Sequence, residues 1–299
     1  MRAVTLLAGA ALLATSACGA GSAETAASGG RPEVVAAFYP LQWLTEQVGG
    51  SDIDVTVLTA PGVEPHDLEL GLQQMTKLQD AALTVYIKGV QPAVDDAVQA
   101  ETAFDAATAV TTIPAGEHAE EEEGHEEHAV SYDPHIWLDP SRLATVATRL
   151  GERLAAADPE HAQAYKDRAA RTAGTLGGLD QEFAKGLGSC ASKSLVTAHE
   201  AFGYLADRYH LKQVGITLDP EAEPSPRRLS EVAKLAKAEG VTTIFTESLV
   251  SPKVAEVLAG EVGAKTAVLD PLESKPSGDY LSAMRDNLKT LQTALRCTA

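Results

Sequence analysis

The stretch that decides the fold class is residues 195–217, LVTAHEAFGYLADRYHLKQVGIT. Its two ends, 195–198 and 214–217, are short apolar runs rich in β-branched residues, which is typical of buried strands. The segment between them shows helical periodicity. A strand, a helix and a second strand in succession predict parallel strands joined by a crossover helix.

The same alternation extends outward from this unit in both directions. Five further apolar runs have the length and composition of strands: 34–38, 55–58, 83–87, 243–246 and 266–269. Helix signals lie between them, since Ser225 before Pro226 predicts a helix start and Gly240 predicts its end. The sequence therefore predicts an α/β fold with largely parallel sheets.

The middle of the chain is different, because residues 141–187 carry no strand signal. Asp158 and Pro159 are typical of a helix N-cap and first turn, and apolar residues then recur at spacings of three, four and seven. We predict one long linking helix over residues 158–188. It would join two α/β lobes, at 32–157 and 189–299.

Composition excludes several classes of partner. The 299 residues carry a formal net charge of −18, from 24 Lys and Arg against 42 Asp and Glu. A nucleic-acid partner is excluded, because its phosphates require clustered basic residues. Electrostatic docking on anionic lipid is disfavoured for the same reason. The charge is compatible with a cation as partner.

The N-terminus indicates export. Residues 1–17 open with Met1 and Arg2 and continue without charge, which is typical of a signal peptide and too short to span a bilayer readily. Small residues precede Cys18, as in the lipobox of bacterial lipoproteins, so we expect a lipid anchor there; an ordinary signal peptide cut nearby is the alternative. Residues 18–31 predict a flexible tether on the outer face of the cytoplasmic membrane.

Cysteine usage fits an oxidising compartment. With Cys18 lipidated, only Cys190 and Cys297 of the three cysteines remain. In an exported chain we expect them to form a disulfide, with two free buried thiols as the alternative. The bond would tie the C-terminal helix to the start of the second lobe.

One segment of the first lobe is compositionally distinct. Residues 117–128, EHAEEEEGHEEH, contain seven Glu together with His118, His125 and His128. The segment has no apolar face, so it predicts a solvated loop. It is either a plain acidic insertion or an auxiliary metal-collecting loop, because imidazole and carboxylate both bind divalent ions.

Four other residues form a candidate metal site. His66 comes shortly after the strand at 55–58, His199 directly follows the strand at 195–198, and Asp270 ends the strand at 266–269, while His135 lies in a similar sequence context. Ligands of open α/β sheets bind beyond the carboxyl ends of strands. Three imidazoles and one carboxylate make a tetrahedral zinc set. Taken singly, a histidine is more often a hydrogen-bonded structural residue, and an Asp-Pro pair is often only a turn.

Several spaced motifs resemble one family over the chain from about residue 34 to its C-terminus. They are EPHDLEL (64–70), DPHIWLDP (133–140), LVTAHEAFGYLADRY (195–209), PSPRRLSEV (224–232), IFTESLVSPKVAEVLA (244–259) and VLDPL (268–272). In this order they resemble the metal receptors of bacterial ABC importers, the ZnuA-like and TroA-like helical-backbone receptors, and within them the zinc-specific branch.

The resemblance implies two α/β lobes joined by one long helix, with the metal in the cleft between the lobes. It implies zinc as the transported ligand, held by His66, His135, His199 and Asp270, with Glu64 as a weaker alternative to Asp270. It also implies an ABC permease as partner, a monomer in solution, membrane contact only through a lipid anchor, and neither a catalytic residue nor a cofactor. Many zinc members carry an acidic, histidine-rich loop before the second ligand, as at 117–128.

Other readings remain open at this stage. A receptor for manganese or iron would use a harder ligand set, and manganese-type relatives carry Glu in place of His199. A zinc hydrolase would need an open coordination position for water. A surface adhesin would need an exposed apolar or aromatic patch. We further expect Trp137 to wall the site, and Asp139 or Glu247 to orient an imidazole.

Overall fold

The structure, a computed structural model, describes residues 30–116 and 130–298. The predicted signal peptide, Cys18, most of the predicted tether and the loop 117–128 lie outside these residues. None of the described helices has both the length and the hydropathy that crossing a bilayer requires.

The first lobe contains a four-stranded sheet in the order β2-β1-β3-β4, with every neighbouring pair parallel. Its strands are β1 (Glu33–Ala36), β2 (Asp54–Val57), β3 (Leu83–Tyr86) and β4 (Ala103–Asp105). The connecting helices are α1 (Tyr39–Gly49), α2 (Leu72–Asp80) and α3 (Pro92–Ala97). Parallel strands require such crossovers, which place successive carboxyl ends at one edge of the sheet.

The second lobe repeats this arrangement with the order β6-β5-β7-β8, again all parallel. Its strands are β5 (Ser194–His199), β6 (Lys212–Thr217), β7 (Thr243–Thr246) and β8 (Lys265–Val268). Its helices, in chain order after the two that link the lobes, are α6 (Gly203–Arg208), α7 (Pro226–Ala238), α8 (Lys253–Val262) and α9 (Tyr280–Leu295).

Two consecutive helices connect the lobes, α4 (Pro140–Ala157) and α5 (Ala162–Leu187), with a short 3-10 turn over Pro159–His161 between them. At 1.5 Å per residue, the 26 residues of α5 span about 39 Å. The apolar spacing read from the sequence marks its buried face: Tyr165, Ala169, Leu176, Leu179 and Phe183. This face packs α5 against α4 and α1 of the first half and against α9 of the second.

The apolar interior is continuous between the lobes. One buried cluster runs from the first sheet through α4 and α5 to α9, and a smaller one lies between the second sheet and helices α7 and α8. Because both lobes share the larger core, α5 is a packed strut rather than a free linker. This confirms the predicted fold class of two α/β lobes joined by a long helix.

The local signals explain where the elements begin and end. The Ser225 hydroxyl caps α7 by accepting a hydrogen bond from Arg228 N at 3.1 Å. Gly240 follows that helix with φ +61°, in the left-handed region that favours glycine. All seven predicted strands are present, shifted by at most two residues. The short strand β4 was not predicted.

The predicted disulfide between Cys190 and Cys297 is present. It joins Cys297, the second residue after α9, to the segment that leads into β5, and the two backbones also form an antiparallel bridge there. The bond therefore lies at the amino end of β5. The candidate site lies at the opposite, carboxyl end of the same strand.

Candidate metal centre

His66 is presented by the loop that follows β2. The Glu64 carboxylate accepts a hydrogen bond from the His66 backbone N–H at 3.0 Å, which closes a tight turn around the buried Pro65. The imidazole is held at the cleft with its side chain 13% exposed. Its Nε2 atom lies 3.3 Å from Glu273 Oε1.

His135 is fixed by an aspartate two residues before it. Asp133 Oδ1 accepts from the His135 backbone N–H at 2.9 Å and lies 2.7 Å from His135 Nδ1. A 3-10 turn over Ile136–Leu138 follows and leads into α4. One carboxylate thus fixes both the backbone and the ring of His135, and it leaves Nε2 facing the cleft.

His199 is the last residue of β5 and is fully buried. Glu247, the first residue after β7, places both carboxylate oxygens 2.8 Å from His199 Nδ1. Since β5 and β7 are adjacent parallel strands, their carboxyl ends bring these residues together. Glu247 also accepts from the His199 backbone N–H at 3.1 Å.

Glu273 completes the cluster from the loop after β8. Its side chain is 1% exposed, and its Oε1 lies 3.7 Å from Nε2 of His135 and 3.7 Å from Nε2 of His199. Its second oxygen, Oε2, is buried without a hydrogen-bond partner among the described residues. A buried carboxylate oxygen in that position is stabilised by a cation.

Four ligand atoms from His66, His135, His199 and Glu273 lie within 4.8 Å of one another. Metal–ligand bonds of about 2.0–2.1 Å in a tetrahedron place ligand atoms about 3.3 Å apart. Most separations measured here, from 3.3 to 3.7 Å, are close to that value. The cluster therefore has the size and donor set of a tetrahedral site for a divalent ion.

Hydrogen bonding selects the tautomers that bind a metal. In His135 and His199 the Nδ1 atom faces a carboxylate, so Nδ1 is the protonated nitrogen of the neutral ring and Nε2 carries the lone pair. These two Nε2 atoms lie 3.4 Å apart. Facing lone pairs repel at that distance unless a proton or a cation lies between them.

The carboxylates also set the charges of the metal-free cluster. Burial lowers the pKa of His199, but the neighbouring Glu247 carboxylate outweighs burial and raises it to about 9. His66 follows the same pattern, since the hydrogen bond and charge of Glu273 outweigh burial and raise its pKa. Burial raises the pKa of Glu273, whereas the His66 hydrogen bond and the nearby imidazoles lower it on balance. Without a metal, the imidazoles of His66 and His199 therefore hold protons more strongly than usual, and a divalent ion must displace those protons when it binds.

Comparison with known proteins agrees with this geometry. Residues 34–294 match the ZnuA family, described as the periplasmic component A of a zinc-uptake complex. The chain belongs to this family. The resemblance seen in the spaced motifs is thereby confirmed over nearly the whole described structure.

Individual ZnuA-family relatives cover the same region. The chain is 37% identical to the zinc-binding protein AdcA of Streptococcus pyogenes serotype M3 over 287 residues, covering 88% of this chain and 56% of AdcA. It therefore spans about half the length of the curated relatives it matches. The crystal structure of the zinc-bound ZnuA-like domain of Streptococcus pneumoniae AdcA has a TM-score of 0.73 at 34% identity, covering 89% of this chain and 99% of that one.

A further structural relative has two activities in its description. The laminin-binding protein Lmb of Streptococcus agalactiae is described as a bifunctional protein with adhesin and metal-transporting activity. It has a TM-score of 0.78 and 33% identity, covering 88% of this chain and 99% of that one. The ZnuA-type fold thus occurs both in a zinc-bound protein and in a metal transporter with an adhesin role.

The structure does not place Asp270 in the cluster, contrary to the ligand expected from the sequence. Asp270 Oδ1 accepts from Leu272 N at 2.8 Å, and its other oxygen lies 3.3 Å from the Ser248 hydroxyl. Leu272 has φ +61°, so the chain turns sharply there. Glu273 points into the cluster as a result, while Asp270 is used to form the turn.

Glu64, the weaker alternative, lies at the margin of the cluster. Its Oε1 holds the His66 backbone, and its Oε2 is buried without a partner among the described residues. Burial and the charge of Glu273 raise its pKa to about 7. It is not among the four groups that converge.

The residues that orient the imidazoles were predicted in part. Glu247 does face His199, as expected. Asp139 does not face a histidine, because it caps α4 by accepting from Ser141 N at 2.8 Å and pairs with Arg142. Asp133, the other aspartate of the motif 133–140, faces His135 instead. Trp137 does wall the site, with its ring centroid 5.1 Å from that of His135.

A cavity of about 470 Å³ adjoins the cluster, and His66 and His135 line part of it. It also reaches Gly116 and Val130, the nearest described residues before and after the acidic segment 117–128. The predicted auxiliary ligands His118, His125 and His128 lie outside the described residues. The described residues on either side of that segment therefore contribute to the cavity beside the candidate metal site.

Proposed function

We propose that this protein is an extracytoplasmic receptor that binds Zn²⁺ with high affinity and delivers it to an ABC-type importer. The observation that carries the proposal is the convergence of three imidazole Nε2 atoms on one buried glutamate oxygen. Membership of a family described as a component of a zinc-uptake complex supports it. So does the zinc-bound state of a structural relative.

The donor set favours zinc over manganese or iron. Three neutral imidazoles and one carboxylate form a borderline-soft, four-coordinate set, whereas manganese prefers oxygen ligands and a larger coordination number. At the ligand position where manganese-type relatives carry Glu, this chain has His199. The ordering of His135 and His199 by carboxylates further fixes a small tetrahedral site.

The geometry favours a receptor over a zinc hydrolase. A catalytic zinc keeps one position open for water, while three histidines and Glu273 supply four protein ligands. The nearly complete burial of His135, His199 and Glu273 also limits access of a substrate to the metal. We propose capture and release of the ion as the role of this site.

Several parts of the proposal concern the route to the membrane. We propose a signal peptide at 1–17 and a lipid anchor on Cys18, with a permease as the receiving partner and a monomer as the working unit. The periplasmic description of the family supports export. Lobe limits of 32–157 and 189–299, on either side of a linking segment at 158–188, belong to the same proposal.

A second function, adhesion, has less support from the described surface. The structural relative Lmb is described as an adhesin as well as a metal transporter. The large apolar side chains that the described residues expose are all aliphatic: Val63, Leu72, Val254, Val257 and Val268. Two of them lie near the start of α8, and none supplies the aromatic anchor that is typical of protein interfaces.

Metal competition tests the proposal. Zinc and manganese are titrated into the wild type and into His199→Ala. The matched control is His161→Ala, because His161 lies outside the cluster, where its Nδ1 is 2.7 Å from Asp158 Oδ2. We expect the wild type to prefer zinc clearly over manganese. We expect His199→Ala to lose more than about 100-fold in zinc affinity, which is more than is typical when a residue that only hydrogen-bonds a metal ligand is replaced. His161→Ala should match the wild type. A manganese preference, or tight zinc binding by His199→Ala, would overturn the assignment.

A further inference from the structure

Trp137 forms a hydrogen bond between the lobes beside the metal site. Its indole Nε1–H donates to the backbone oxygen of Pro271 at 2.7 Å, across 134 positions of sequence. Trp137 is fully buried, and Pro271 is buried as well. The bond therefore lies in a water-excluded region, where an unpaired carbonyl is costly.

The two partners are placed symmetrically with respect to the metal ligands. Trp137 comes two residues after His135, and Pro271 comes two residues before Glu273. The Trp137 ring also packs beside the His135 ring, with centroids 5.1 Å apart. This bond thus connects the segment that carries an imidazole of the first lobe to the segment that carries the carboxylate of the second.

Trp137 is itself held in place. The Tyr280 hydroxyl donates to the Trp137 backbone oxygen at 2.5 Å. The Phe38 ring meets the indole edge-on, with centroids 4.8 Å apart. These contacts fix the direction of the indole N–H. Because this N–H donates to the Pro271 backbone oxygen, it in turn constrains the position of Pro271.

The segment that carries Glu273 adopts a conformation that requires support. Leu272 lies in the left-handed region, which a leucine rarely adopts. Asn287 holds Asp270 from within the second lobe, with its amide N–H donating to Asp270 O at 2.6 Å and its oxygen accepting from Asp270 N at 3.0 Å. These bonds set the shape of the turn, but they do not reach the first lobe.

We propose that Trp137 is a positioning residue that acts through Pro271 to set the place of Glu273 relative to the three imidazoles. Gly62 N–H, which donates to the Ser274 hydroxyl at 2.6 Å, is a second link between the lobes on the far side of Glu273. The carboxylate is therefore bracketed by two bonds to the first lobe. This inference rests on the proposed metal site.

A double-mutant cycle tests the proposal. Zinc affinity is measured by competition with a chromophoric chelator for the wild type, Trp137→Phe, Glu273→Gln and the double variant. We expect Trp137→Phe to weaken zinc binding about 10-fold, as is common when a residue that positions a metal ligand is lost. In the Glu273→Gln background the same change should cost less than about twofold, because it acts through that carboxylate. If Trp137→Phe caused no loss of zinc affinity in the wild-type background, or the same loss in the wild-type and Glu273→Gln backgrounds, the proposal would be overturned.

Two further variants separate positioning from packing. Trp43, the other tryptophan of the chain, stacks on Tyr280 with centroids 4.8 Å apart, so Trp43→Phe makes the same chemical change in the same core. It should leave zinc affinity unchanged, and a loss equal to that of Trp137→Phe would contradict a positioning role. Tyr280→Phe removes only the hydroxyl that holds Trp137, and it serves if Trp137→Phe fails to fold. We expect a loss of about threefold that disappears with Glu273→Gln; unchanged affinity would overturn the proposal.

The outcomes distinguish this inference from the proposed function. A wild type that binds no zinc refutes the metal site and the positioning role with it. A wild type that binds tightly while Trp137→Phe binds equally well refutes only the role of Trp137. Circular dichroism of each metal-free variant establishes that the compared proteins are folded.

Discussion

His135 Nε2 and His199 Nε2 face each other at 3.4 Å, although 64 positions separate the two residues in the chain. Each ring is turned by a carboxylate on its Nδ1 atom, Asp133 in one lobe and Glu247 in the other. The two lobes therefore present lone pairs to a single point. That point is shared with His66 and Glu273, and it is the position we assign to the zinc ion.

Glu247 should matter for zinc binding although it is not one of the four ligands. Glu247→Gln removes the charge that raises the basicity of His199, so we expect zinc affinity to fall about 10- to 100-fold. Chelator competition measures the change. Glu239→Gln is the control, since that carboxylate pairs with Lys212 near the amino end of β5. Equal affinities for both variants would refute the role of Glu247.

The pH dependence should extend above the usual histidine range. A histidine whose pKa is raised keeps its proton to higher pH, and zinc must displace that proton. Since the pKa of His199 is raised to about 9 and that of His66 is also raised, affinity should keep increasing from about pH 6 to pH 8.

Calorimetry in buffers of different ionisation enthalpy measures the accompanying proton release. We expect at least one proton to be released per zinc ion near pH 7, and Glu247→Gln to reduce that number. An affinity that is constant above pH 7, with no proton released, would contradict the raised pKa values of the metal-free cluster.

The disulfide should stabilise the fold without affecting the site. Replacing both Cys190 and Cys297 by Ser opens a loop of 107 positions, which costs about 4–5 kcal/mol in the chain-entropy treatment. Urea denaturation of the metal-free protein measures this loss. Zinc affinity should stay within about threefold under folding conditions, because the bond lies at the amino end of β5. A large loss of affinity in the folded variant would show coupling that we do not expect.

Deleting residues 117–128 should leave the main site intact. The four converging groups are all positioned by residues within 30–116 and 130–298, so we expect the high-affinity constant to change by less than about threefold. Stopped-flow measurement at low zinc concentration tests whether the segment instead speeds capture. A loss of more than about tenfold in equilibrium affinity would refute this division of roles.

Most of the fold could be predicted because its signals are local. Runs such as 195–198 combine β-branched residues with apolar neighbours, and the Ser225 cap and Gly240 mark helix ends directly. Strand β4 escaped prediction because Ala103–Asp105 is three residues long with one buried side chain, Phe104, and is too short to show a periodicity. The linking helix begins three residues later than Pro159 because a 3-10 turn intervenes.

The candidate metal site was harder to predict because the identity of its carboxylate, Glu273, depends on tertiary structure. His66, His135 and His199 follow from their motifs, but the choice between Asp270 and Glu273 depends on a turn at Leu272. A leucine with positive φ has no sequence signature, whereas a glycine there would have indicated the turn. Asp133 and Asp139 likewise flank His135 in one motif, and only the start of α4 shows that Asp139 is a helix cap.

The most direct measurement is a crystal structure of the zinc-loaded protein with anomalous data collected on both sides of the zinc absorption edge. We predict one strong zinc peak within about 2.0–2.2 Å of Nε2 of His66, His135 and His199 and of a Glu273 carboxylate oxygen. A peak bound by Asp270 or Glu64 in place of Glu273, or one that lacks His199, would contradict the site described for this protein.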